Sequence, residues 1–544
     1  MTHTIGWKGI AGAALLLLVS LFTAPPTGAN TGFTHHGDVF GPNYDFHPQL
    51  TPPQFPGIVQ RYSPPPGPDP LGRIRYWNQI MLNANALDHT PAEDSVPFGE
   101  QIGPARTSRA FAIVHIAIFD AVNAIMGRFE SYTGIAPADR TTSLDAAIAK
   151  AAHDTLAALY PSQEVIFNQL FAEDLERIPD GAGKDDGIDT GRRAAEAILE
   201  LRADDGSPHE EPVIGVDYFP SDAPGKWQPD PISESPLALG ANWSGVYPFA
   251  LKSADQFHAP PPPGLRSIEY AAAFREVKRL GGDGIATPTQ RTVDQTIAGI
   301  YWSYDGTPGL GTPPRLYNQI AVQIAEQMGS DFAELARLLA LVNVGMADGS
   351  IACWHSKYAY EFWRPVTAIC RASEDRNPMT VPDLDWRPMG AQASNIEGPD
   401  FTPPFPAYTS GHAVLGGVLF QILRKFYKTD LIAFAFVSDE LNGITRDNLD
   451  PGICALASGR PGATIPDRDC GRVRPRIPRN FSSLSEAEEE NGQSRIYLGI
   501  HWRFDKTKGI MQGRRVADYV FENSFQPVQM PHYWPRWHHR REVH

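Results

Sequence analysis

Apolar residues return at helical spacing in segment after segment of this chain, while strand-like alternation is scarce, and that pattern commits it to an all-α fold. It is plainest from Arg109 to Met126, where Ala112, Ile113, Ile116, Ala117, Phe119 and Ala124 share a stripe. Similar stripes at 144–159, 164–177 and 188–203 predict a first helical bundle. The segment from Pro208 to Pro263 breaks the period with prolines, glycines and scattered aromatics, and reads as a connection. Periodicity resumes at 268–280, 289–303, 315–328, 331–362, 411–426, 484–498 and 506–523, which predicts a second bundle. The expected organisation is two helical bundles with long Pro/Gly-rich loops: a leader at 1–29, an arm and loops at 30–105, bundles at 106–265 and 266–525, and a tail at 526–544. The arm carries Tyr62-Ser-Pro-Pro-Pro-Gly-Pro68, and no regular element is expected from 30 to about 75.

At the N-terminus Lys8 precedes an apolar run from Ala11 to Phe22 and small residues up to Ala29, the order of a secretory signal peptide. An uncleaved anchor is the alternative. The expectation is a secreted or periplasmic protein cleaved near Ala29, with no membrane span in its mature form, since no other stretch approaches the ~20 apolar residues a span takes. Export permits disulfides among Cys353, Cys370, Cys454 and Cys470, and the Pro/Gly/Arg-rich loop between Cys454 and Cys470 has the most use for one. No pair has the close spacing of a zinc knuckle. A formal net charge of −15 argues against nucleic acid or anionic lipid as a partner. Any anion bound here needs a local cationic pocket.

Three short segments supply one. Lys357 and Arg364-Pro365 lie seven residues apart, close to two helical turns, so both cations are expected on one helix face with Arg364 at a helix end before the proline. In Ser410-Gly411-His412 the serine is a good N-cap, and the first turn that follows offers free N–H groups to an anion. Arg495 and His501 flank Gly499, which is placed to end a helix and let the two side chains converge. Each segment alone also reads blandly, as solvated cations, a capped helix with an exposed histidine, or a structural histidine. Together, three cations, two neutral donors and two histidines suit a phosphate-shaped oxyanion.

These segments resemble the signature of the superfamily shared by vanadium haloperoxidases and type 2 phosphatidic acid phosphatases: Lys, six residues, Arg-Pro; Pro-Ser-Gly-His; Ser-Arg, five residues, His. Thr409 stands where that signature usually has proline. The likeness to haloperoxidases extends to His115–Asn123, Tyr301–Gly306 with Thr312-Pro-Pro, Phe362–Pro365 and Glu489–Gly492. The resemblance implies two helical bundles with vanadate, and no haem, at the end of one of them. It implies His501 as the metal ligand, Lys357, Arg364, Arg495, Ser410 and the Gly411 N–H around the oxyanion, and His412 as general acid/base. Asp305 matches an aspartate near that histidine, although Tyr304-Asp305-Gly306 also reads as a turn. Lys357 is implied to touch peroxide as well.

The implied activity is oxidation of chloride or bromide by hydrogen peroxide to hypohalous acid, which then halogenates small organic compounds, with phosphate as a competitor for the site. Trp354 and Phe405 match positions that are Trp and Phe in chloride-oxidising members, and they also read as core packing. Two other functions share these residues: an acid phosphatase working through a phosphohistidine, and a non-enzymatic oxyanion binder, which leaves the histidines unexplained.

Overall fold

The computed structural model describes residues 64–89, 99–231, 235–284, 286–306, 309–390, 402–445 and 474–528. The leader with its cleavage point, most of the arm and tail, Cys454 and Cys470 lie outside the described residues; Cys353 and Cys370 are unpaired thiols. Among the described residues the fold is thirteen α-helices and one two-stranded sheet.

The first five helices are α1 (Pro70–Asp88), α2 (Gly103–Met126), α3 (Leu144–Leu159), α4 (Glu164–Leu175) and α5 (Ala182–Leu201). α1 corrects the expectation of an unstructured stretch to about residue 75. Its polar residues Arg73, Asn78, Asn83 and Asn85 are buried beside Ile74 and Trp77, so no apolar stripe marks it in the sequence. Arg73 is satisfied there by Asp174, with Nε donating at 3.0 Å, and by Asp145. Proline in its first turn sets the start of the helix.

The later helices are α6 (Ile268–Leu280), α7 (Val293–Tyr301), α8 (Pro313–Gln327), α9 (Phe332–Tyr360), α10 (Pro365–Cys370), α11 (Gly411–Tyr427), α12 (Leu484–Tyr497) and α13 (Arg503–Asn523). α9 opens with a capping box, in which Asp331 and Glu334 each accept the other's backbone N–H. It is apolar on nearly every side and packs against α2, α11 and α13. α2 and α9 are long and apolar enough to cross a membrane by length and composition, which corrects the expectation that no such stretch exists; their apolar windows are 89% and 100% buried inside the protein.

One continuous hydrophobic cluster takes Phe111 and Ile116 from α2, Leu338 and Leu341 from α9, Leu419 and Phe420 from α11 and Val520 from α13. The connection at 208–263 is pinned to this core by Asp348 of α9, whose carboxylate accepts the N–H groups of Phe249, Ala250 and Leu251 at 2.6–2.8 Å. Residues beyond α13 return to the first bundle. Gln526 accepts from Glu130 N–H at 2.8 Å, Val528 N–H donates to Arg128 at 3.0 Å, and the Phe525 ring packs edge-on to Phe119.

α11 and α13 approach closely because glycines on each helix lie against the backbone of the other. A Cβ at Gly513 would meet Val414 O at 2.1 Å, and one at Gly417 would meet Ile510 O at 2.8 Å. The small sheet pairs β1 (Phe434–Asn442) with β2 (Arg476–Phe481) antiparallel, Phe434 opposite Phe481. It is tied to α7 by Tyr301 Oη–H donating to Phe436 O at 3.0 Å. Proline and charged residues in Arg476–Phe481 hide β2 from a reading of alternation.

Candidate active site

Four chain segments deliver the site. The end of α9 brings Lys357, and the chain then leaves the helix at Glu361, whose φ of +51° ends it. Arg364 therefore does not share a helix with Lys357, as its spacing suggested; it is the N-cap residue of α10, held extended before Pro365. The loop before α11 brings Thr409 to Gly411, and Ser410 caps the helix by accepting the Ala413 N–H at 3.5 Å. The turn between α12 and α13, at Gly499 with φ +76°, brings Arg495 and His501 together. A Cβ at Gly499 would meet Gly281 O at 2.4 Å, so only glycine allows this turn to nestle against the end of α6.

Lys357, Arg364, Ser410, Arg495 and His501 are all buried. Lys357 Nζ donates to Pro406 O at 2.7 Å and Ala407 O at 3.1 Å, which uses two of its three protons. Burial pushes its pKa down to about 7. Arg364 donates through Nε to Phe405 O and through Nη1 to Ile500 O and to His501 Nε2, the last at 2.9 Å, and burial pulls its pKa down to about 9. Arg495 donates through Nη2 to Asp305 Oδ1 at 2.6 Å, but its Nε and Nη1 are buried without a partner. Unmatched buried guanidinium donors are costly, and an acceptor-rich anion would satisfy them.

His501 is oriented from behind. Arg364 donates to its Nε2, so the ring proton sits on Nδ1 and is donated to Asp505 Oδ2 at 2.8 Å. Asp505 also accepts the Trp502 N–H at 3.1 Å, and burial lifts its pKa to about 7. Burial first, then the neighbouring cations, holds His501 neutral, with the Nε2 lone pair on the side of the cations. Asp505 was missed as a functional residue in the sequence, although an aspartate in the first turn of α13, just after His501, is the available signal.

His412 lies in the first turn of α11, where Asn491 Nδ2–H holds its backbone carbonyl at 2.9 Å. Its Nε2–H donates to Ser303 O at 2.6 Å, which leaves Nδ1 as the acceptor. Nε2 is 4.0 Å from Asp305 Oδ1, so Asp305 stands between the cation Arg495 and this ring. Burial, then Arg495, pulls the His412 pKa down to about 3.

Asp305, Gly411, His412, Arg495 and His501 line one cavity of about 220 Å³, together with Trp354 and Phe405. The two aromatic rings touch at 5.0 Å between centroids, and Lys357 Nζ lies 5.7 Å from the first and 5.0 Å from the second. Lys357, Arg364 and Ser410 are buried next to this cavity and are not among the residues that line it. Thr409 is buried, and its hydroxyl donates to Gln512 Oε1 at 2.8 Å, while Gln512 Nε2 reaches Ala352 O and Ser356 Oγ. That network ties the loop to α9 and α13 where a proline would have stiffened it, and no motif or spacing marks Gln512 in advance.

A family model for the VCPO second helical-bundle domain matches residues 337–530, the part that carries Lys357 through His501. The chain is 32% identical over 503 residues to a vanadium chloroperoxidase from Curvularia inaequalis, covering 79% of this chain and 78% of that one. Among solved structures, a bacterial vanadium-dependent iodoperoxidase superposes with a TM-score of 0.62 at 24% identity, over 85% of this chain and 98% of its own. A holo-type bacterial vanadium-dependent chloroperoxidase superposes with a TM-score of 0.54 at 15% identity, over 77% and 92% of the two chains. The fold is thus shared across these enzymes, and the 32% identity to the Curvularia inaequalis enzyme over 79% of this chain places it in the vanadium haloperoxidase family.

Proposed function

We propose that this chain holds vanadate in the cationic cluster and uses hydrogen peroxide to oxidise halide, chloride included, to hypohalous acid. The observation that carries the reading is the pairing of unmatched Arg495 donors with a neutral His501 whose Nε2 lone pair is fixed by Asp505. That donor set fits a tetrahedral oxyanion with one bond to a histidine nitrogen. Lys357, Arg364, Arg495, Ser410 and the Gly411 N–H would hold its oxygens, and His501 would ligate the metal. Bound vanadate supplies a Lewis acid that polarises peroxide without changing its own oxidation state.

The remaining steps belong to the side chains. His412 is neutral above about pH 3, and with Nε2–H given to Ser303 O its Nδ1 is the nitrogen that would take a proton from peroxide. An oxyanion brought beside it raises its proton affinity, so that the proton can be returned to the leaving oxygen. Asp305 balances Arg495 and keeps the guanidinium turned toward the site. Trp354 and Phe405 form an apolar wall that keeps water from the cations and strengthens their pull, which favours oxidation of the less reactive halide, chloride. The leader supports export, so the enzyme would act outside the cytoplasm.

Metal-free protein should bleach monochlorodimedone with peroxide and chloride as the only halide once vanadate is added, and phosphate should compete with the vanadate. Bleaching with bromide or iodide alone would refute the chloride reading. Phosphomonoester hydrolysis in the absence of vanadate, lost in His501→Ala, would favour the phosphatase alternative.

A further inference from the structure

Away from the cavity, two histidines meet nitrogen to nitrogen. His258, in the connection between the bundles, and His355, on α9, place their Nδ1 atoms 3.0 Å apart with ring planes at 81°. Both rings are half-buried and open to solvent on one side. The proton positions follow from their neighbours. Tyr360 Oη–H donates to Ala259 O at 2.7 Å, so the same oxygen accepts from His258 Nε2–H at 2.9 Å. The Tyr360 bond therefore fixes the Nε2–H tautomer of His258 and leaves its Nδ1 lone pair aimed at His355. Asp255 adds a carboxylate whose charge acts on both rings.

We propose that His258 and His355 form a bidentate site for a tetragonal divalent transition metal, Cu²⁺ or Ni²⁺. Two metal–imidazole bonds of about 2.0–2.1 Å set at a right angle separate their nitrogens by about 2.8–3.0 Å, whereas a tetrahedral angle separates them by about 3.3–3.4 Å. The observed separation fits the right angle, and imidazole is a ligand that Cu²⁺ and Ni²⁺ accept. The His258 ring is held by Tyr360, and its neighbour Ala259 is fixed by N–H donation to Ser356 Oγ at 3.3 Å, so the His258 nitrogen is preorganised, while His355 is carried on the long helix α9. Among the described residues no group of three or more His, Cys, Asp or Glu could hold a metal ion, so water would fill the other positions. The competing use of the same geometry is a single proton shared between the rings.

The test is titration of the full-length protein with CuCl2, counting bound copper by dialysis and nitrogen ligands by electron paramagnetic resonance. Copper also meets other histidines, among them His538 and His539, so the readout is the difference from variants. His258→Gln and His355→Gln should each lose one equivalent of copper, and the double variant should lose no more than either. Tyr360→Phe should keep that equivalent at weaker affinity. Equal copper stoichiometry in wild type and both single variants, or a loss in only one of them, overturns the site in favour of the shared proton.

Discussion

At the scale of single residues, the site works by leaving charge unbalanced until an anion arrives. His501→Ala should abolish stoichiometric vanadate binding with the fold intact, and Asp505→Ala should weaken it by about 10- to 100-fold, since the carboxylate fixes the ring that makes the bond. Equilibrium dialysis with vanadium analysis reads both. His412→Ala should still bind vanadate but turn over about 10²- to 10⁴-fold more slowly, because it removes a proton carrier and no ligand. The pH dependence of stability isolates Lys357. Its pKa is about 7 when folded against 10.5 for the free side chain, so between those values the unfolded chain binds one more proton and stability rises with pH. Subtracting the urea-unfolding curve of Lys357→Met from that of the wild type should leave a positive slope of at most about 1.4 kcal/mol per pH unit above pH 7. A flat difference would show that the ammonium stays charged in the folded state. Lys357, His412 and His501 stood out in the sequence only once three short segments were read together, and their roles came from the family resemblance, since the spacing of Lys357 and Arg364 suggested one shared helix that the structure does not have. Asp505 was legible only in hindsight, because an aspartate in the first turn of a helix is ordinarily a cap.

At the scale of elements, helix positions followed the apolar period closely where a helix has one wet face. Residues 144–159 and 268–280 are helical over the expected spans. The period failed for α1, whose buried polar residues pair inside the protein, and for the break after Tyr360, where one left-handed residue redirects the chain while the apolar pattern runs on. Tertiary partners decide both, and a single sequence does not display them. The close contact of α11 with α13 makes its own prediction. Gly513→Ala puts a methyl against Val414 O, so the helices must part, at a cost of about 1–3 kcal/mol. Because α11 begins at Gly411, that shift should also lower vanadate affinity, which thermal unfolding and dialysis on the same variant will show. An unchanged melting temperature would mean the helices absorb the methyl without moving.

At the scale of the molecule, a hydrophobic cluster runs from α1 to α13 without a break, although the sequence divides at a proline-rich connection. A fragment of residues 266–528 expressed alone would expose the face of α9 that meets α2 and free the Asp348 carboxylate from the three N–H groups it accepts. It should be insoluble or lack cooperative unfolding by calorimetry, and a fragment that folds with a sharp transition would show two independent bodies. The return of residues 525–528 to the first bundle sets an order of events during synthesis. A ribosome finishes α2 hundreds of residues before it releases the phenylalanine that packs on Phe119 and the segment whose backbone bonds to Arg128 and Glu130. The first bundle therefore waits, with an apolar rim uncovered, for almost the whole chain to be made. A polypeptide that ends before residue 525 should therefore be cut at that rim faster than the full chain, which limited proteolysis of the two will show.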